Sequence, residues 1–268
     1  SWNSDGFVLG TADGVNKNTD PFVAWNWKAN GAGATNEDGS INTTKTSAST
    51  TSGFSISTYT GTGSNATIGH GLGVVPKMII VKRLDVTSSW RIYHASLGNT
   101  KNIVLNTTAA EATSSTMWNN TSPTSTTFSL GSYDEVNGSS APHVAYCFAQ
   151  VKGYSKVSSY IGNGSATAPT FIYLGFKPAF VLLKNSTQID DWFLHDSKRD
   201  GFNDDNEYLR PSIPDASGSG TNRIRLLSNG FSVPTTDKSH NVSGNVYIYM
   251  AFAENPFVTS TGIPGLAR

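Results

Sequence analysis

Charge is what this 268-residue sequence has least of. Asp, Glu, Lys and Arg make up 14% of it, against about 25% in ordinary globular proteins, and 19 basic residues balance 19 acidic ones. A chain with no basic excess exerts no long-range pull on nucleic acid or anionic lipid, so neither is expected as a partner. No apolar run approaches the roughly 18 residues that a spanning helix needs, and nothing near Ser1 resembles a secretory signal; no membrane insertion is expected. The one cysteine, Cys147, excludes an intramolecular disulfide. Within "HVAYCFAQV" it reads as a small buried hydrophobe. Also missing are any sustained apolar period near 3.6 and any H-E-x-x-H, C-x-x-C, G-x-S-x-G or Walker pattern. The expectation is therefore little helix, no enzymatic activity and no cofactor.

Ser, Thr, Asn and Gly take the place of the charges, and with them come Thr, Val, Ile and aromatic residues that favour strands. The chain reads as all-β. It also repeats itself. "YTGTGSNATIGHGLGVVPKMIIVKR" at 59–83 is answered by "YIGNGSATAPTFIYLGFKPAFVLLKN" at 160–185. Tyr59, Gly61, Gly63 and Ser64 correspond to Tyr160, Gly162, Gly164 and Ser165; after a one-residue slip, Gly73, Pro76, Lys82 and Trp90 correspond to Gly175, Pro178, Lys184 and Trp192. A third, partial copy opens the chain. "GFVLGTADGVNKNTDPFVAWNWKA" at 6–29 aligns without a gap on "TFSLGSYDEVNGSSAPHVAYCFAQ" at 127–150, which is the closing third of a copy. The expectation is that these strands complete a unit supplied by sequence upstream, by another domain or by another subunit.

The organisation read from this is a partial repeat over 1–30 and a Gly/Ala/Ser/Thr linker over 31–52. Two tandem β-sandwich units of jelly-roll or lectin-like type follow, over 53–152 and 153–268. Strands are placed at "GFSISTYTG", "ATIGHGL", "KMIIVKRL", "WRIYHAS", "NIVLNTT", "TFSLG" and "HVAYCFAQV" in the first unit. In the second they fall at "KVSSYIG", "TFIYLGF", "AFVLLKN", "DWFLHDS", "NRIRLLS", "GFSVP" and "VYIYMAFAE". The glycines at 61–73 punctuate a sheet. A phosphate loop needs a helix after the glycines, whereas "VVPKMIIVK" leads with proline and reads as strand.

Candidate ligand-binding residues gather where rings adjoin polar groups, a combination that suits sugars because C–H faces stack on rings while hydroxyls take hydrogen bonds. They are Asp190, Asp191, Trp192 and His195 in the second unit and Trp90, Arg91 and His94 in the first. For Trp90 and Trp192, core packing is the competing reading; Trp118, in the polar run "SSTMWNNTSPTS", is the candidate expected at the surface. Asp190, Asp191 and Asp196 are the acids from which a glycosidase pair would have to come. Asp200, Asp204 and Asp205 in "DSKRDGFNDDNEY" are oxygen ligands of the kind calcium takes, without EF-hand spacing, and read otherwise as a solvated loop; no metal site is assigned.

"VAWNWKANG", "GFSISTYTGTGSNATIGHGLGVVPKMIIVKR", "LNTTAA", "WNNTSPTSTTFSLG", "GYSKVSSYIGNGS", "GFKPAFVLLK" and "YIYMAFAENPF" follow one another in this chain. In that order the sequence resembles virion-associated proteins of tailed bacteriophages, especially those infecting marine bacteria and cyanobacteria. The resemblance implies a tail fibre, spike or decoration protein on the virion surface. It would form a homo-oligomer, by analogy a trimer, and contact other virion proteins and a host-surface glycan or protein. The alternatives are a purely architectural virion protein and a glycan-degrading tailspike. The resemblance carries over no catalytic or metal-binding residue.

Overall fold

The chain is described by a computed structural model over residues 3, 6–199, 203 and 205–253. After a four-residue helix α1 (Asp13–Asn16), the strands of the first unit are β1 (Lys45–Ser49), β2 (Phe54–Thr60), β3 (Ala66–Gly69), β4 (Met78–Arg83), β5 (Arg91–His94), β6 (Lys101–Val104), β7 (Ala112–Thr113), β8 (Thr127–Leu130) and β9 (Pro142–Phe148). Two more four-residue helices, α2 (Ser115–Trp118) and α3 (Asp134–Asn137), flank β8. The second unit contains β10 (Ser155–Ile161), β11 (Thr170–Tyr173), β12 (Pro178–Asn185), β13 (Trp192–Asp196), β14 (Asp205–Leu209), β15 (Gly218–Thr221), β16 (Arg225–Leu227), β17 (Gly230–Val233) and β18 (Val246–Ala253). The fold is all-β, as composition requires.

Four sheets result. A seven-stranded sheet runs β1-β2-β9-β4-β5-β6-β7 and a six-stranded sheet runs β10-β18-β12-β13-β14-β15; from β2 and from β10 onward the two orders correspond strand for strand. Smaller sheets, β3-β8 and β11-β17-β16, lie over one face of each. The strand ladders among the described residues are antiparallel, and the isolated Ile41–Ile68 bridge is parallel.

The side-chain period of two explains how these sheets stack. Along β4, Ile79 and Val81 point into a core beneath β3-β8, with Ile68, Phe128 and Trp118. Met78 and Ile80 point the other way, into a core that also holds Phe180, Leu182, Ile248 and Met250 of the second unit. Along β12 the pattern is mirrored: Phe180 and Leu182 enter that shared core, Val181 and Leu183 a third one beneath β11-β17-β16. Among the described residues four sheets thus enclose three cores, and the two large sheets pack face to face. Central strands buried on both faces need uninterrupted apolar runs, which is why "KMIIV" and "YIYMAF" do not alternate.

Three expectations change. Residues 31–52 are not a free linker: β1 pairs with β2, Ala34 bridges Thr46, and Ile41 bridges Ile68 with its side chain buried. Small and hydroxylated residues suit an edge strand laid on a sheet as well as they suit a linker, so composition did not separate the two. Among the described residues the opening segment contributes no strand, only a bridge at Phe7. It contains α1 and then runs extended, with Val23, Trp25, Trp27 and Ala29 half-buried and the residues between them exposed. The acidic stretch 196–208 is not wholly loop, since Asp196 ends β13 and Asp205 begins β14. Asp200 and Asp204 lie outside the described residues.

Candidate functional site

The glycine-rich stretch has a structural task. A Cβ on Gly61 would sit 2.3 Å from the carbonyl oxygen of Gly138, and one on Gly162 2.2 Å from that of Val242. Gly63 and Gly164 hold φ at +71° and +67°, the left-handed region. One buried asparagine ties down each loop. Asn137 Oδ1 accepts from the Thr62 amide at 2.9 Å, its Nδ2 donates to Ser64 O and Gly131 O, and its own carbonyl accepts from Gly63 N. Asn241 does the same with Asn163 N, Ser165 O, Val233 O and Gly164 N. Tyr59 and Tyr160 donate to Val136 O and His240 O, each at 2.6 Å. With these loop groups so engaged, the stretch is a clamp between the first and last strands of a unit.

The ligand residues expected from sequence are dispersed. Trp192 is buried in the shared core and its indole N–H donates to Val104 O of the first unit at 2.8 Å. Trp90 packs against the same core and stacks on Tyr146. Arg91 pairs with Glu135, donates to Asn102 Oδ1 and Tyr133 Oη, and lies over the Tyr133 ring. His94 is buried against Tyr249 O, and burial pushes its pKa down to about 4. Trp118 corrects the expectation of exposure: it is 1% exposed, with its N–H bonded to Lys101 O. The α2 turn directs Met117 and Trp118 inward, and Asn119 and Asn120 then reverse the chain at positive φ, so a polar sequence run surrounds an inward-facing ring.

The acids serve local bonds. Asp190 Oδ1 accepts from Ser239 Oγ and the Asp191 amide; Asp191 accepts from Ser212 Oγ and faces Arg210 at 3.3 Å; Asp196 holds Arg199 at 2.6 Å and two backbone amides. Nearby, fully enclosed Lys184 donates to Asp190 O, Gln188 O and Thr108 O, and burial lowers its pKa to about 8 although Asp190 and Asp191 oppose the shift. His195 and His240 face each other, Nε2 to Nε2 at 3.0 Å, deep in the second unit, and burial lowers both pKa values. Burial raises the Cys147 thiol to about 12, which leaves it without nucleophilic character at neutral pH. Among the described residues no group of three or more His, Cys, Asp or Glu has the arrangement of a metal site.

Two surface clefts share Tyr154, and another, of 470 Å³, is lined by Asn30, Ala34, Asn36, Thr46 and Gly71. One cleft of 320 Å³ is lined by Trp25, Trp27, Tyr154, Phe180, Asp196 and Lys198; a second, of 470 Å³, by Lys28, Ser49, Thr51, Ser52, Lys152 and Tyr154. Trp27 is fixed by edge-on contacts with Phe148, Phe180 and Phe252, at 6.0, 5.5 and 5.4 Å between centroids, and Trp25 by Phe180 at 5.8 Å. The extended segment is anchored beyond them where Ser52 Oγ donates to Lys28 O and Asn30 N to Ser47 Oγ. Of the acids and rings singled out from sequence, only Asp196 lines either cleft. The missed residues did leave a signal, the alternation of "VAWNWKA", but its alignment with a closing strand assigned it to a different unit.

The family that matches the chain is described as a domain of unknown function (DUF7483), and the match extends over residues 1–256. No curated protein matches, and no solved structure matches.

Proposed function

We propose that this chain, which belongs to the DUF7483 family, is a structural appendage of a tailed-phage particle that attaches to the host surface by binding carbohydrate beside Tyr154. The observation that carries the reading is the cleft itself: half-buried Trp25, Trp27 and Tyr154 next to Asp196 and Lys198. Rings offer faces for sugar C–H groups, and the buried Asp196 carboxylate, taken up by Arg199 and two backbone amides, fixes the backbone beside them. Because Trp25 and Trp27 are already packed on Phe180, little side-chain freedom is lost on binding. The second cleft, with Lys28, Lys152 and three hydroxyl side chains, extends the same surface. The phage setting rests on the resemblance of the ordered segments given above. A homotrimer displaying three such clefts gains by avidity what one shallow site lacks.

A purely architectural role is the second reading. Phe171 and Tyr173 stand 47% and 60% exposed on the edge strand β11, flanking buried Ile172, an arrangement that suits a neighbouring virion protein. Particle labelling and cell binding separate the two. Antibody against the chain should decorate an external appendage of intact phage in electron micrographs, and the purified chain should bind host cells in competition with host polysaccharide. Internal labelling, or binding to virion proteins with none to cells, overturns the attachment reading.

A further inference from the structure

The two units differ in what lies along their outer edges. In the first unit, residues 34–49 cover both β2 and β3. β1 pairs with β2 along its length, and Ala34 bridges Thr46. Ahead of β1 the chain crosses β3, where Ile41 N donates to Thr67 O at 3.1 Å, Ser40 N to Thr67 Oγ1 at 2.8 Å, and Thr67 N to Ser40 Oγ at 2.9 Å. Gly39 lets the strap lie this close, since a Cβ there would stand 2.4 Å from Thr67 O.

The second unit repeats the two strands without the strap. β10, the counterpart of β2, and β11, the counterpart of β3, each end a sheet. Ile172 pairs with Phe231 as Ile68 does with Phe128, so Phe171 stands where Thr67 does and Tyr173 where Gly69 does. Leu174 N donates to Asn229 O, and antiparallel pairs alternate, so Phe171 turns its N–H and C=O away from β17. Neither group has a partner among the described residues; the neighbouring Tyr173 O accepts from Lys156 Nζ at 2.6 Å. The edge side chains are also apolar: Phe171, Tyr173 and Ile161, the last 64% exposed, replace Thr67, Gly69 and Thr60. No residue of β10 or β11 lines a Tyr154 cleft.

An open edge strand bearing exposed rings is a template for pairing. We propose that β10 and β11 receive an extended segment of another polypeptide by strand addition. Its oxygen accepts from Phe171 N–H, its N–H donates to Phe171 O, as Ser40 and Ile41 do at Thr67, and its apolar side chains pack on Phe171, Tyr173 and Ile161. This chain's own strap is not the occupant, because residues 34–49 are held on the first unit and β9 passes to β10 through residues 149–154 alone.

The test supplies a stand-in, a copy of residues 37–52 inserted between Lys152 and Gly153 of the otherwise full chain. Asn36 is left out because its side chain lies against Gly69, where the second unit has Tyr173. Amide exchange at position 171 is expected to be at least about 10-fold slower than in the chain without the insertion. Phe171→Lys combined with Tyr173→Lys, which sets charges on the edge, should reverse the slowing. If the insertion prevents folding, a synthetic peptide of residues 37–49 titrated to millimolar concentration onto the native chain gives the second readout, expected to be saturable slowing at the same amide. No slowing with either probe, or slowing that survives both lysines, overturns the proposal. Protection of Phe171 in the native chain alone also overturns it, in favour of a second copy where it grows with protein concentration and of this chain's own residues where it does not.

Discussion

Asn137 and Asn241 each satisfy several backbone groups of a loop that has no ladder of its own. Removing either amide orphans buried N–H and C=O groups, so Asn137→Ala and Asn241→Ala are each expected to cost about 2–4 kcal/mol in equilibrium unfolding by denaturant; a loss below about 0.5 kcal/mol would show that the clamp is incidental. The buried histidines give the molecule an acid-sensitive slope. His94, His195 and His240 all titrate below their ordinary value of 6.5 in the folded state, chiefly through burial, with Arg199 and Arg223 adding repulsion at His195 and Asp237 and Asp190 opposing the shift at His240. The unfolded chain thus binds more protons: their neutral forms give full stability above pH 6.5, and stability is lost as the pH falls below it. For His94, whose folded value is about 4, the loss reaches up to about 3 kcal/mol by that pH. His94→Asn should flatten the slope of unfolding free energy between pH 6.5 and 4; an unchanged slope would place the proton uptake elsewhere.

At the level of strands, burial on two faces decided what could be read. "KMIIV", "AFVLL" and "YIYMAF" are legible as strands because each supplies apolar residues to two cores at once. β1, β7, β14 and β15 are not legible: Lys45–Ser49, Ala112–Thr113, Asp205–Leu209 and Gly218–Thr221 are polar strands at or near sheet edges, where pairing with a neighbour, not sequence pattern, makes the strand. Periodicity shows that Ile80 and Leu182 are buried but not that they meet each other's sheets, so the shared core is invisible before the structure. Leu182→Ala should cost about 2–5 kcal/mol and should weaken amide protection in β4 as well as β12, because both strands line that core. Loss confined to β12 would mean that the units do not share their stability.

Across the whole molecule, the two units are joined by more than adjacency. The Trp192 indole reaches Val104 O, His94 reaches Tyr249 O, Lys184 reaches Thr108 O, and the amides of Glu111 and Asp190 bond to Ser186 O and Thr108 O across the junction. This four-sheet body holds the segment at 22–30 over the edge of the shared core, and so sets the spacing of Trp25, Trp27 and Tyr154. Rings noticed in sequence as Trp90, Trp118 and Trp192 serve packing, whereas the half-exposed ones lie in a stretch whose kinship with a buried strand concealed its different placement. The most direct test of carbohydrate attachment is a titration of the purified chain with polysaccharide from the host envelope, followed by tryptophan fluorescence and calorimetry. Saturable binding is expected in the native chain, weakened by at least about 10-fold, or about 1.4 kcal/mol, in both Trp25→Ala and Tyr154→Ala and unchanged in Trp90→Phe. Binding that survives both substitutions, or no binding by the folded native chain, would contradict it.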